Sequence, residues 1–395
     1  VAEASSDSGE PALGFPVHEF EARVQHAQAA MMAAGMAGML FTTEAEFRYF
    51  SGFRTLFWQS PTRPWFLFVP VDGKPVAVIP EIGAELMRRT WLDDIRTWPA
   101  PAPDDDGLSL LVDLLMPMAA AGAKIGLPKG HETSLRMPLG DWERLTRHLA
   151  GVVFCDCTAI VRDLRMVKSA REIDKIAHIC AIASRGFAAA GDLFFEGQPL
   201  TESFRAFRRQ CLAEGADDVP YLVGGAGPGG YRDIISPPAD RPLQKGDILM
   251  LDTGATFDGY FCDFDRNFAI GAADDQAKRA YDVLYRATEA GLAVARPGAT
   301  CCDLFAAMHA VIATFDPGTG EVGRLGHGLG MQLTEWPSHA PFDNTVLREN
   351  MVITLEPSLG YGDGMIMVHE ENIVVGDGPP RLLSARAPRD LPIIG

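Results

Sequence analysis

The stretch LDTGATFDGYFCDFDRNF, residues 251–268, places four acids, Asp252, Asp258, Asp263 and Asp265, within fourteen positions of a segment otherwise rich in Gly, Phe and Tyr. A carboxylate taken out of water is costly unless a cation or several hydrogen bonds meet it, so this segment is either a solvated hairpin or a holder of metal. Asp252 and Asp263 stand eleven residues apart with Gly254 and Gly259 between them, as in two neighbouring strands joined by a turn. Two like charges brought together repel, which calls for something positive between them. Farther along come His327 in GHGLGM, Glu356 in TLEPS and Glu370 in MVHEEN. Taken singly each is ordinary: a His beside Gly is usually a loop or core residue, and a Glu before Pro a cap or surface residue. Taken in order, Asp, Asp, His, Glu and Glu form an oxygen set with one imidazole. That set suits Mn, Fe, Co or Zn and is too poor in sulfur for a structural zinc.

The rest of the chain must position these groups. With 395 residues, 47% of them hydrophobic, it is long enough for two folded domains. A formal charge of −17 argues against a nucleic-acid partner, since phosphate contacts come from Lys and Arg. Seven cysteines without the spacing of a zinc knuckle or a disulfide framework fit a reducing cytoplasm. No apolar run reaches the roughly 18 residues of a membrane span, and the opening VAEASSDSGEPALG, lacking a signal-peptide pattern, reads as a flexible tail over 1–14.

The patterning predicts a helix from Phe20 to Ala34, a strand over 38–42, a hairpin of FLFVPV (66–71) and PVAVIP (75–80), helices over 83–91 and 108–119, and strands at 124–127 and 152–154. This small α/β unit spans 15–160. A charged link and a long helix with Ile173, Ile176, Ile179 and Ile182 at helical spacing open the second unit, 161–395. Helices near 200–213, 274–296 and 301–314 are segregated there from short β runs that carry the acids, which predicts an α+β fold with antiparallel pairing.

The four motifs LDTGATFDGYFCDFDRNF, GHGLGM, TLEPSLGY and VHEENIVV resemble the metal-binding strands of the pita-bread metallopeptidase superfamily, in its Xaa-Pro aminopeptidase, prolidase and creatinase branch. The likeness runs from about Arg162 to the C-terminus. RMVKSAREID resembles the entry into that domain, and FRYFSGF (47–53) sits where the creatinase-like N-terminal domain has a similar run. The resemblance implies a C-terminal pita-bread fold behind a smaller creatinase-like domain, with one or two metal ions on Asp252, Asp263, His327, Glu356 and Glu370. It also implies a homodimer in which a partner's N-terminal domain reaches the site.

Peptidases of the superfamily usually carry two histidines that this chain replaces, one near Ile235 and one at Thr334 in LTEWP. Where they read Asp-x-Thr-Arg, this chain reads Asp263-Phe264-Asp265-Arg266, a further acid. Losing the two histidines removes partners that amide hydrolysis uses. The added acid makes the site more negative, favouring iron, with Mn, Co or Zn as alternatives, or a cationic substrate. Together with FWQSPTRPWFLFVP (57–70) and GHGLGMQLTEWPS, this combination resembles the dimethylsulfoniopropionate lyases of the superfamily. The function so implied is β-elimination of a small cationic carboxylate to dimethyl sulfide and acrylate, with Asp265 or Glu335 as base. Trp58, Tyr260, Trp336 and Tyr361 would form the aromatic wall for the sulfonium. The alternatives are an Xaa-Pro-type metallopeptidase or related amide hydrolase, and a binding module that has kept the fold.

Overall fold

The computed structural model describes residues 9–60, 63–315 and 323–395, so most of the expected tail lies outside the described residues. The chain divides into two compact units, one formed by Ala12–Arg165 and the other with Met166–Gly395 as its body. Among the described residues no helix is long and apolar enough to cross a membrane.

In the N-terminal unit, helix Val17–Ala34 stops at Gly35, whose left-handed backbone caps it. Six strands form one mixed sheet in the order Asp94–Trp98, Val76–Pro80, Phe66–Pro70, Gly38–Phe41, Lys124–Leu127, Val153–Asp156. The hairpin is present, with Phe66 opposite Val78 and Phe68 opposite Val76. The helix expected over 83–91 is shorter, running only from Ala84 to Met87 behind a 3-10 turn. Thr90 ends it by turning its hydroxyl back onto the Met87 carbonyl at 2.7 Å, while the Trp91 ring N–H is drawn to the Phe50 carbonyl at 2.9 Å.

The second unit opens with helix Ala170–Ala188, started by a capping box in which Ser169 and Glu172 satisfy each other's backbone amides. Its four regularly spaced isoleucines are all buried, as the period requires. This helix and Leu200–Ala213 pack on strands Asp247–Phe257 and Asp218–Pro228. Those strands belong to a sheet ordered Ile393–Ile394, Phe264–Ile270, Asp247–Phe257, Asp218–Pro228, with Tyr260–Phe261 also pairing on Asp247–Phe257. A second sheet is ordered Glu335–Ser338, His327–Gly328, Val352–Leu355, Glu371–Val374, Arg381–Leu382. Ser358–Tyr361 and Met365–Val368 form a separate hairpin. Helices Asp275–Val294 and Cys301–Ile312 pack together, and with strand Val352–Leu355 and the hairpin they enclose a core that includes Met308, Ile353 and Leu359.

Strand Asp218–Pro228 escapes the sequence patterning because Gly224, Gly225 and Gly227 interrupt its alternation. Gly224 is required by close approach: a Cβ there would lie 2.1 Å from the Met250 carbonyl oxygen, on a backbone with φ of +150°. Gly224→Ala must therefore push the strand off its partner. It is expected to cost about 2 kcal/mol or more, read as a lowered thermal unfolding midpoint, and an unchanged midpoint would refute the close approach.

Candidate metal centre

Strand Asp247–Phe257 is buried at every position except Asp252, which is half-buried. Asp265 lies directly opposite Asp252 in the antiparallel ladder, so both side chains leave the same face of the sheet. Asp263 immediately precedes strand Phe264–Ile270 and is buried. Its backbone N–H donates to Asn372 Oδ1 at 2.9 Å, and its carbonyl accepts a short hydrogen bond from Asn372 Nδ2. Asn372 is the partner of Thr354 in the second sheet, where Leu355 faces Glu371. One rung farther come Glu356 and Glu370, at the same end of that ladder.

His327 reaches the cluster from the two-residue strand between Glu335–Ser338 and Val352–Leu355. Its backbone N–H donates to Thr354 Oγ1 at 3.1 Å. The preceding Gly326 has φ of +131°, and a Cβ there would meet the Thr354 carbonyl at 2.4 Å, so only glycine lets the histidine enter. His327 Nδ1 lies 2.8 Å from the Gly328 carbonyl, which can only accept, so the proton is on Nδ1 and the Nε2 lone pair is left for the site. Nε2 is 3.4 Å from Asp263 Oδ2 and 3.8 Å from Glu356 Oε2. One ligand atom from each of Asp263, His327 and Glu370 falls within 4.8 Å of the others.

The electrostatics are those of acids lacking a counter-charge. Burial pushes Asp252 up to about 7 despite a hydrogen bond from the Tyr221 hydroxyl. Glu356 is pushed up to about 8, by burial first and then by the charge of Asp252. Asp263, Asp265 and Glu370 are driven well above the carboxylate range, chiefly by burial. His327 falls to about 3, again mainly through burial, and is neutral as a ligand must be. Asp252 Oδ1, Asp265 Oδ1 and Glu370 Oε1 are buried without a hydrogen-bond partner. Such orphaned oxygens around a free imidazole nitrogen fit a divalent ion of oxygen and nitrogen preference. Sulfur does not compete: Cys262 is held well above the ordinary thiol range by burial and keeps its proton.

Other expected site residues are placed elsewhere or held. Asp265 does not pair with Arg266 through its carboxylate; the guanidinium contacts the Asp265 and Glu370 carbonyls at 2.6 and 2.9 Å and Glu371 Oε2 at 2.9 Å. Glu335 lies 3.4 Å from Lys168 Nζ and accepts the Gln332 N–H at 3.1 Å. The four aromatics expected to line a sulfonium pocket make the following contacts. Tyr260 is buried and donates to Glu172 Oε1 at 3.0 Å, and Tyr361 belongs to the core with its hydroxyl on the Gly229 carbonyl at 2.7 Å. Trp58 packs in the N-terminal unit against Phe47, Trp65 and the Arg136 guanidinium. Trp336 donates from its ring to Thr345 Oγ1 at 3.2 Å. Sequence reasoning missed Tyr221, Lys168 and Asn372; Tyr221 lay in the glycine-masked strand, and nothing local distinguishes the other two.

The raised carboxyls give a signed expectation. Without metal, the folded state binds more protons than the unfolded chain between about pH 4.5 and 8, so its stability falls as pH rises through that window. A cation displaces those protons. Saturating Mn2+ is expected to raise the thermal midpoint more at pH 8 than at pH 6, and equal increments would show that these acids do not receive it.

Comparison with known proteins accords with this arrangement. Residues 23–167 match the creatinase/prolidase N-terminal domain and residues 174–377 match metallopeptidase family M24. The Xaa-Pro dipeptidase of Pyrococcus horikoshii is 30% identical over 256 residues, covering 64% of this chain and 72% of that protein. The probable dipeptidase PepE of Mycobacterium tuberculosis is 28% identical over 364 residues, 91% and 93% of the two chains. The crystal structure of dipeptidase PepE from Mycobacterium ulcerans superposes with a TM-score of 0.83 at 28% identity, covering 96% of this chain and 99% of that one. These relatives bear dipeptidase names, which overturns the expectation of a dimethylsulfoniopropionate lyase and, with it, of a sulfonium substrate. The fold is a creatinase-like N-terminal domain followed by a pita-bread domain, and the chain belongs to metallopeptidase family M24.

Proposed function

We propose that this protein is a metal-dependent dipeptidase that hydrolyses short peptides, Xaa-Pro dipeptides among them, in its C-terminal unit. The observation that carries this reading is the convergence of Asp263, His327 and Glu370 within ligand distance, with Glu356 beside His327 and Asp252 on the adjoining strand. Full-length similarity to proteins named as dipeptidases supplies the reaction class.

Asp252, Asp263, His327, Glu356 and Glu370 would hold the metal, which supplies Lewis acidity toward a peptide carbonyl and toward water. Manganese, cobalt and zinc all suit this donor set, which does not single out iron. The chain's own groups do the rest. Tyr221, raised far above its usual value by burial and the acids around it, keeps its proton at neutral pH and orients Asp252 as a hydrogen-bond donor. Arg324 brings positive charge to Asp263 and Glu356, and its guanidinium lies 3.5 Å from Thr334 Oγ1, where related peptidases have a histidine. We assign to Tyr221 and Arg324 the polar duties left by Ile235, which is exposed, and Thr334. A homodimer in a reducing cytoplasm, consistent with seven free thiols, completes the proposal and is checked by light scattering in solution.

The test is to strip the purified protein with a chelator, reload it with Mn2+, Co2+ or Zn2+, and measure amino-acid release from a panel of Xaa-Pro and other dipeptides. Hydrolysis that returns with metal is expected. His327→Ala and Glu370→Ala should each abolish at least about 99.9% of it, close to the loss in the double variant, because both act through one centre. No hydrolysis of any dipeptide by the reloaded protein would overturn the reading.

A further inference from the structure

Asp265 is the acid that the family's usual motif lacks, and its surroundings set it apart from an ordinary buried carboxylate. It is 1% exposed. Its Oδ2 accepts the Asn267 Nδ2 proton at 2.8 Å. Asn267 cannot turn away: the same Nδ2 donates to the Val368 carbonyl at 2.7 Å, and its Oδ1 accepts the Tyr231 hydroxyl at 3.0 Å. Tyr231 is fixed in turn by the Val368 N–H at 2.9 Å. The orientation of the Asp265 carboxylate is therefore set by a chain of hydrogen bonds on Oδ2, with the Glu370 backbone N–H also acting on the carboxyl, while Oδ1 is buried without a partner in hydrogen-bond geometry.

Directly across the ladder stands Asp252, whose Oδ1 is also buried and unpartnered. Side chains opposed across such a rung have Cβ atoms roughly 5 Å apart. Arg266, the neighbouring cation, is committed to Glu371 and to backbone carbonyls, so it does not answer either oxygen. Two facing orphaned oxygens of this kind need either a shared proton or a shared cation.

We propose that Asp265 is an additional anionic donor of the metal centre, bridging from Asp252, so that the centre carries five carboxylates and one imidazole. It thereby grips its cation more tightly and with a fuller coordination shell than the five-residue set alone. This inference rests on the metal-binding reading of the site and not on the peptidase reaction.

The experiment uses the full-length protein and metal alone. Wild type, Asp265→Asn, which keeps the shape and removes the charge, and Asp265→Thr, which restores the family's hydroxyl, are stripped and titrated with Mn2+ against a chromophoric chelator. The visible spectrum of each Co2+-loaded form reports the coordination shell. Both variants are expected to bind Mn2+ at least about 10-fold more weakly, the scale on which groups tuning a metal site act, with an altered Co2+ spectrum. Should Asp265→Asn fail to fold, as judged by circular dichroism, Asp265→Thr decides on the same terms. Mn2+ affinity within about twofold of wild type, with an unchanged Co2+ spectrum, would overturn the proposal and make Asp265 a neutral acid sharing its proton with Asp252. Absence of dipeptide hydrolysis would leave both readouts intact, so the two readings fail separately.

Discussion

Negative charge concentrated where water is largely excluded is the constraint from which the C-terminal unit follows. Asp263, Asp265 and Glu370 are buried, Asp252 and Glu356 only partly open, and the imidazole among them is uncharged. Without a cation such a group relieves itself by holding protons, which is what the upward shifts of all five carboxyls express. A folded chain that keeps this arrangement must hold its backbone rigidly enough to prevent the acids from moving apart. The surrounding hydrogen bonds do this.

The rigidity comes from a seam between the two acid-bearing strands, in which one short motif grips the other. In Glu370-Glu371-Asn372, Asn372 clamps both backbone groups of Asp263, while the fully buried Glu371 receives Arg266 at 2.9 Å and Arg386 at 3.1 Å. In Asp265-Arg266-Asn267, Arg266 returns a hydrogen bond to the Glu370 carbonyl and Asn267 one to that of Val368. Arg386 also meets His369 Nε2 at 3.3 Å, which places the His369 proton on Nδ1, toward Thr288 Oγ1 at 3.0 Å. Burial pushes His369 down to about 3, so it stays neutral beside two arginines. Removing one partner of such a network leaves a buried charge uncompensated, the costly kind of loss. The polar residues flanking the acids thus hold the arrangement in place.

The same reasoning separates what a motif says about a fold from what its departures say about a reaction. Ile235 and Thr334 in place of histidines, and Asp265 in place of a hydroxyl, are real features of this chain. Reading them as a change of chemistry is overturned by the relatives' dipeptidase names, and Tyr260 and Tyr361 direct their hydroxyls to Glu172 and Gly229. Full-length similarity to proteins named as dipeptidases speaks against a change of reaction class. A fold hosts many reactions, and the identity of one is decided by which groups face the reacting atoms.

By itself, the sequence determined most of the long helices, the main hairpin and the acid-bearing strands, while it overran the helix Ala84–Met87 and passed over Glu44–Ser51, Leu139–His148 and strand Asp94–Trp98. The periods of the elements it determined are local properties: isoleucines three apart, alternation about a glycine turn, and buried runs broken by an acid. It also singled out Asp252, Asp263, His327, Glu356 and Glu370, because acids in otherwise apolar strands need a reason to be there. The Gly-rich strand Asp218–Pro228 was hidden, since glycines chosen for close backbone approach erase the alternation by which a strand is recognised. Asn372, Lys168 and Tyr221 were hidden for another reason: each acts on a residue 31 to 167 positions away, at Asp263, Glu335 and Asp252 respectively. Which polar side chain answers a distant acid, and which aromatic belongs to the core, depends on the register and packing of strands remote in sequence. Only the tertiary structure decided those pairings, because nothing in the local spacing of either partner encodes the other.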